Sequence, residues 1–184
     1  MTPILGILAS GISGNLWAPG KDFDSIATVT LGSNTSTITF SSIPSTYRHL
    51  QIRGTLNNTG TDAALVTFNS DAGANYARHR LAGNGSATNA SGGGSQNNFY
   101  INSYVGFLST ASVFSPVVLD ILDYKETTKY KTARSLSGGA NGSNGGVELN
   151  SGLWQNTAAV TTITFTSSTG NWLAGSTLAL YGVK

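Results

Sequence analysis

The chain has 184 residues, of which about a tenth are charged, and its formal net charge is +2. That length gives room for one sizeable core, and the 39% hydrophobic content with so little net charge favours a folded domain over disorder. Cysteine is absent, so disulfides and cysteine-ligated metals are excluded, and no apolar run approaches the roughly 20 residues of a membrane-crossing helix.

Residues 1–20 stand apart from the rest of the chain. Ile4, Leu5, Ile7, Leu8, Ile12, Leu16 and Trp17 are apolar, while Gly6, Gly11, Gly14 and Pro19 interrupt any long helix. The segment lacks the basic start of a secretory signal. It cannot build a core alone, and left free it is an exposed hydrophobic surface. Two readings are open: a first strand strapped onto its own domain, or an arm that docks on a neighbouring subunit. The organisation expected is therefore an N-terminal anchoring arm over 1–20 and a β-domain over 21–184.

From Ser25 onward short apolar-alternating segments are separated by turn residues, which predicts strands over 26–31 and 35–40, joined through Gly32-Ser33-Asn34. Further strands are expected over 47–55, with Tyr47, Leu50 and Ile52 in the core, over 63–69, with Ala64, Val66 and Phe68 on one face, and over 76–81. Residues 83–95 (GNGSATNASGGGS) read as a flexible loop, because so many glycines lose much entropy in regular structure. An aromatic-rich strand over 99–107 comes next. A central hairpin spans 113–138, started by Pro116 and carrying Val117, Val118, Leu119, Ile121 and Leu122 as core. A second Gly/Asn loop over 138–146 precedes strands over 147–154, 159–165 and 173–183. No segment sustains a helical period. Ten or eleven short strands with glycine-rich turns predict an all-β fold, an antiparallel β-sandwich of jelly-roll type with an extended N-terminal arm. The tetrapeptide Thr-Ile-Thr-Phe occurs at 37–40 and again at 162–165, a coincidence common among strand-forming residues.

Residues that could carry chemistry are few. The two histidines are His49 and His79, and no metalloprotease, nucleophile-elbow, phosphate-loop or EF-hand spacing is present. Asp120 and Asp123 are three apart, which on a strand sets them on opposite faces. They suit capping or pairing with Arg and Lys better than acid–base work on a sugar. Lys125, Lys129, Lys131 and Arg134 are interrupted by acidic residues. They read as charges that guard a strand edge rather than as a nucleic-acid patch. Arg78 and Arg80 should point to one side of a strand and His79 to the other. Their bland reading is a solvated face or an interfacial ion pair, and their sharper one is contact with an anion or glycan. Tyr100, Tyr104, Trp154 and Trp172 could stack on sugar rings if exposed, although strand aromatics more often belong to the core. These residues give no catalytic set, no cofactor site and no metal site. A non-enzymatic protein is expected, without a nucleic-acid or membrane partner.

Several separated stretches resemble small structural proteins of tailed bacteriophages. They are the opening MTPILGILASGISGNLW, SIATVTLGSNTSTITFSSIPSTYRHLQIRG (25–54), NYARHRLAGNGS (75–86), VVLDILDYKETTKYKTARSLSG (117–138), SGLWQNTAAVTTITF (151–165) and LALYGVK (178–184). The resemblance implies a virion protein, assembled in the host cytoplasm, whose partners are other capsid or tail proteins. It implies a capsid decoration (cement) protein or a tail-fibre or spike component, of a kind that is commonly a homotrimer. The alternative function is a carbohydrate-binding adhesin whose partner is a host-surface glycan.

Overall fold

The computed structural model describes residues 22–60, 62–103, 107, 112–140, 142 and 145–184. The expected arm, with Ile4, Leu5, Ile7, Leu8, Ile12, Leu16 and Trp17, lies outside the described residues, as does Tyr104. The described chain is all-β, with no helix. Its twelve strands are β1 (Phe23–Thr30), β2 (Thr37–Phe40), β3 (His49–Leu56), β4 (Ala64–Phe68), β5 (Tyr76–Gly83), β6 (Thr88–Gln96), β7 (Phe99–Ile101), β8 (Ser115–Leu122), β9 (Lys131–Ala140), β10 (Gly145–Trp154), β11 (Ile163–Ser167) and β12 (Thr177–Val183). They form two antiparallel sheets. The larger has eight strands in the order β1-β12-β3-β8-β9-β10-β5-β6, and the smaller has four in the order β2-β11-β4-β7.

The core lies between the sheets and obeys period-two alternation. The large sheet turns in Leu50, Ile52 and Leu56 from β3, Val117, Leu119 and Ile121 from β8, and Leu178 and Leu180 from β12. The small sheet contributes Ile38, Phe40, Val66, Phe68, Ile163 and Phe165. Each such side chain, fully buried, contributes roughly 1.5–3 kcal/mol. The two Thr-Ile-Thr-Phe stretches lie side by side in the small sheet, with Ile163 opposite Phe40 and Phe165 opposite Ile38.

Several expectations need correction. Residues 83–95 do not form a loop: only the tight turn at 84–87 does, with the Asn84 side chain accepting from the backbone N–H groups of Ser86 and Ala87. Thr88 onward pairs with β5 as the edge strand β6, and the ladder hydrogen bonds offset the entropy its glycines lose. The strand expected over 99–107 is Phe99–Ile101 in the described residues; Asn102, at φ 57°, takes the chain out of the extended region. The 138–146 loop is shortened from both sides, because β9 runs to Ala140 and β10 starts at Gly145.

Val118 and Leu122 are not core, because alternation puts them opposite Val117, Leu119 and Ile121, on the outer face. Tyr47 is only partly buried. Trp154 and Trp172 are fully buried and are not sugar platforms. Lys131 is buried too, its Nζ donating to the carbonyl oxygens of Lys129 (2.9 Å) and Thr157 (3.0 Å), and burial pushes its pKa down. The charges of this hairpin guard no edge, since β8 and β9 lie in the middle of the large sheet. Arg134 pairs with Asp120 across the hairpin (3.0 Å), and Asp123, in the turn, pairs with Lys129 (2.6 Å).

An aromatic cluster closes one end of the core. Phe68, Tyr76, Phe99 and Trp154 pack with ring centroids 5.3–6.4 Å apart. Asp71 fastens it from the rim. Its Oδ2 accepts from Trp154 Nε1 at 2.7 Å and from Asn75 Nδ2 at 2.9 Å, and its Oδ1 accepts from the Gly73 N–H at 2.8 Å. The indole N–H, with the Asn75 and Gly73 donors behind it, holds this carboxyl below the usual carboxylate range against a partial burial effect. A lowered folded pKa contributes stability that is complete above the ordinary range and lost as pH falls through the folded value. Asp71→Asn sets an amide against the indole donor and should cost about 1–3 kcal/mol in urea unfolding at neutral pH. The variant should also lose part of the wild-type's destabilisation on acidification, which the same titration repeated at low pH measures.

Candidate functional site

Two features draw on the same four strands, β9, β10, β5 and β6, which extend the large sheet beyond β8. One faces inward and is polar; the other faces outward and is apolar.

On the inward side, β5 and β10 pair so that Arg80 lies opposite Asn150 and Arg78 opposite Gly152. Arg78 and Arg80 share a face and His79 takes the other, as alternation requires. That face also carries the buried Tyr76 and Ala82, and the two arginines on it are half-buried. Ser135, Ser137, Glu148 and Asn150 are buried on the same side. Glu148 Oε1 accepts from the Ser103 N–H (2.8 Å), Ser103 Oγ (3.1 Å) and Asn150 Nδ2 (2.9 Å). Arg80 donates from Nη1 to Ser103 Oγ (2.7 Å) and from Nε and Nη2 to Asn89 Oδ1 (3.1 and 2.9 Å). The network ties β10, the stretch after β7, β5 and β6 together, which a buried carboxyl group needs if it is not to be strongly destabilising.

Arg78 lies differently. Its guanidinium is stacked 3.2 Å from the centroid of the Tyr100 ring, and Nη1 donates to Asn98 Oδ1 at 3.3 Å. Both partners are neutral. Between this stack and the edge strand opens a pocket of about 130 Å³, lined by Arg78, Arg80, Ser91, Gln96, Tyr100 and Asn150 among others. The sugar-stacking candidates therefore separate: Tyr100 lines a pocket, and Trp154 and Trp172 do not.

On the outward side, alternation exposes the apolar members of the same strands. Leu81, Leu136, Val147 and Leu149 are between 49% and 58% exposed. Register aligns them across the sheet, with Val118 opposite Leu136, Leu136 opposite Leu149, and Leu149 opposite Leu81. Val147 stands beside this row, between Gly138 and Gly83. It is a ridge with a groove on each side: one of about 520 Å³ against Pro116, Val118 and Leu136, and one of about 270 Å³ against Leu81 and Leu149. Gly138 floors the larger groove, and a Cβ there would lie 2.6 Å from the Gly146 carbonyl oxygen, so the groove cannot be filled by a simple side-chain addition. Four large apolar side chains aligned on one exposed face form a contiguous apolar surface, the kind of feature that marks interaction sites. Sequence reasoning did not single out Leu81, Leu136, Val147 or Leu149. The signal was the alternation of β10 itself, in which Val147 and Leu149 alternate with Glu148 and Asn150, and the ordinary rule assigns the apolar set to the inside.

Asp120 and Asp123 do not come together as a pair. Asp120 accepts from Gln51 and Arg134 on the outer face, and Asp123 meets Lys129, His49 and Arg48 in the turn. The cations around Asp123, led by the Lys129 hydrogen bond, hold its carboxyl below the usual range.

Comparison with protein-family models, with curated proteins and with solved structures finds no match to this chain.

If the outer row is unpartnered within the subunit, Leu149→Ser should change the unfolding free energy of the isolated protein by less than about 0.5 kcal/mol. Leu119→Ala, on the buried side of the same sheet, should cost about 2–5 kcal/mol. Urea melts of the two variants make the comparison; equal losses would mean that Leu149 is packed in the isolated chain.

Proposed function

We propose that this chain is a non-enzymatic structural subunit of a tailed-phage virion. Residues 1–20 anchor it and the β-domain is displayed on the particle exterior, as a capsid decoration protein or a tail-fibre or spike component. The observation that carries the reading is the outward row of Leu81, Leu136, Leu149 and Val147. It is a contiguous row of exposed apolar side chains across neighbouring strands, suited to a neighbouring subunit rather than to water. The resemblance of separated stretches of sequence to tailed-phage structural proteins supports it independently. The partners are other virion proteins and further copies of the chain, in a trimer.

The strand order supports a jelly-roll reading as well. Strands β1-β12-β3-β8 facing β2-β11-β4-β7 match the eight-strand double Greek key. On this reading β5–β6 is a hairpin inserted between β4 and β7, and β9–β10 one inserted between β8 and β11. Both insertions join the same sheet, and together they carry the apolar row and the arginine pocket.

Deletion of residues 2–17 should leave a β-domain with the wild-type circular-dichroism spectrum that no longer joins particles when supplied during assembly. Leu136→Asp with Leu149→Asp should lower incorporation while leaving the fold intact. Both are measured by immunoblot of purified particles. Normal incorporation of the deletion variant would refute the anchor, and normal incorporation of the double variant would refute the interface.

A further inference from the structure

The inward pocket is not explained by assembly. A buried or half-buried polar group ordinarily has its hydrogen-bond and charge partners supplied from within the fold, as Glu148, Asn150 and Arg80 do here. Arg78 differs in that an aromatic ring is its main partner. Its described contacts are an aromatic face and one amide oxygen, both neutral, so its positive charge meets no carboxylate among them. The ring beneath it fixes the plane of the guanidinium, and a flat, immobilised guanidinium presents parallel N–H donors suited to a planar oxyanion.

The remaining walls narrow the ligand further. Ser91, Gln96, Ser103, Tyr100 and Asn150 bring neutral hydroxyl and amide groups, able to donate and accept. Among the described residues, the formally charged side chains that line the pocket or bond to its lining are Arg78, Arg80 and Glu148, the last joined to Arg80 through Ser103 Oγ, for a sum of +1. One positive charge balances a monoanion and leaves a phosphate dianion uncompensated. The volume of about 130 Å³ admits a carboxylate with a few attached atoms, and the edge strand β6, with Ser91, Gly92 and Gly93 along the rim, leaves the rest of a larger molecule outside.

We propose that this pocket binds a monoanionic carboxylate, with Arg78 as the group that engages it and Ser91, Gln96 and Asn150 placed for neighbouring hydroxyl groups. The inference stands on the pocket alone and does not depend on the assembly reading. A carboxylate of this kind is supplied either by an acidic sugar or by a small free acid, and the two are separable by experiment.

The test is titration of the full-length, ¹⁵N-labelled protein with galacturonate, galactose, acetate and inorganic phosphate, each monitored by two-dimensional NMR. Galacturonate should shift backbone resonances of β5, β6 and β7 in a saturable manner. In Arg78→Ala the dissociation constant should rise about tenfold or more, the loss expected for a charge-assisted hydrogen bond. Ser91→Phe, at an exposed position on the edge strand, should block binding by filling the pocket with both arginines retained, so that a folding defect at Arg78 cannot account for the result. Binding of galacturonate with weak or no binding of acetate assigns the sugar acid, and equal binding of the two assigns the free carboxylate. Galactose or phosphate binding as well as galacturonate, or no carboxylate shifting these resonances, overturns the proposal.

Discussion

Trp154 is fully buried in the aromatic cluster with its indole N–H on Asp71, and strand alternation from it sets Gly152, Asn150 and Glu148 on the inner side of β10 as well. Strand alternation admits two registers: Val147 and Leu149 alone would favour turning themselves inward, but Trp154, the largest apolar side chain of β10, is buried in the other register, which is the one the structure takes. With Glu148 and Asn150 inside, the bonds to Ser103, and from Arg80 to Ser103 and Asn89, become available, and each compensates a desolvated group that would otherwise cost several kcal/mol. The apolar side chains are then forced out. Because β5 and β9 are in register with β10, Leu81 and Leu136 go with them.

One constraint thus produces both surfaces of the extended sheet. Its inner side carries a polar network and a pocket with a stacked arginine, and its outer side carries an apolar ridge between two grooves. Neither surface is what the stability of a lone domain asks for. Exposed leucines gain nothing in water, and a guanidinium confined with neutral partners loses solvation. Their coexistence on the strands that extend beyond β8 is the structural ground on which partners are proposed for this half of the molecule.

Much of the fold is legible in sequence, and the failures have a common cause. Alternation in 47–55, 63–69 and 117–122 identifies the strands that face each other across the core, and Ile52, Val66 and Leu119 are all buried as period two requires. It also pairs Arg78 and Arg80 on one face, but which face lies beyond its reach, since alternation fixes relative and not absolute orientation. Residues 83–95 read as a loop because local composition favours one there, while the hydrogen bonds that make 88–96 a strand come from β5. In the same way the charges of the 113–138 hairpin suggest an edge, and only the long-range order β3-β8-β9-β10 places them at the centre of a sheet. Composition reports what a segment prefers alone; pairing across tens of residues decides these cases.

The central claim is that the apolar face and the N-terminal segment serve assembly into a particle. The most direct measurement of the proposed role is the number of copies of this chain in virus particles purified from cells that produce it, by quantitative mass spectrometry against a labelled standard. The account predicts a fixed stoichiometry that survives density-gradient purification, in the hundreds for capsid decoration and in the tens or fewer for a tail or fibre part. A chain abundant in the infected-cell lysate but absent from purified particles would contradict it.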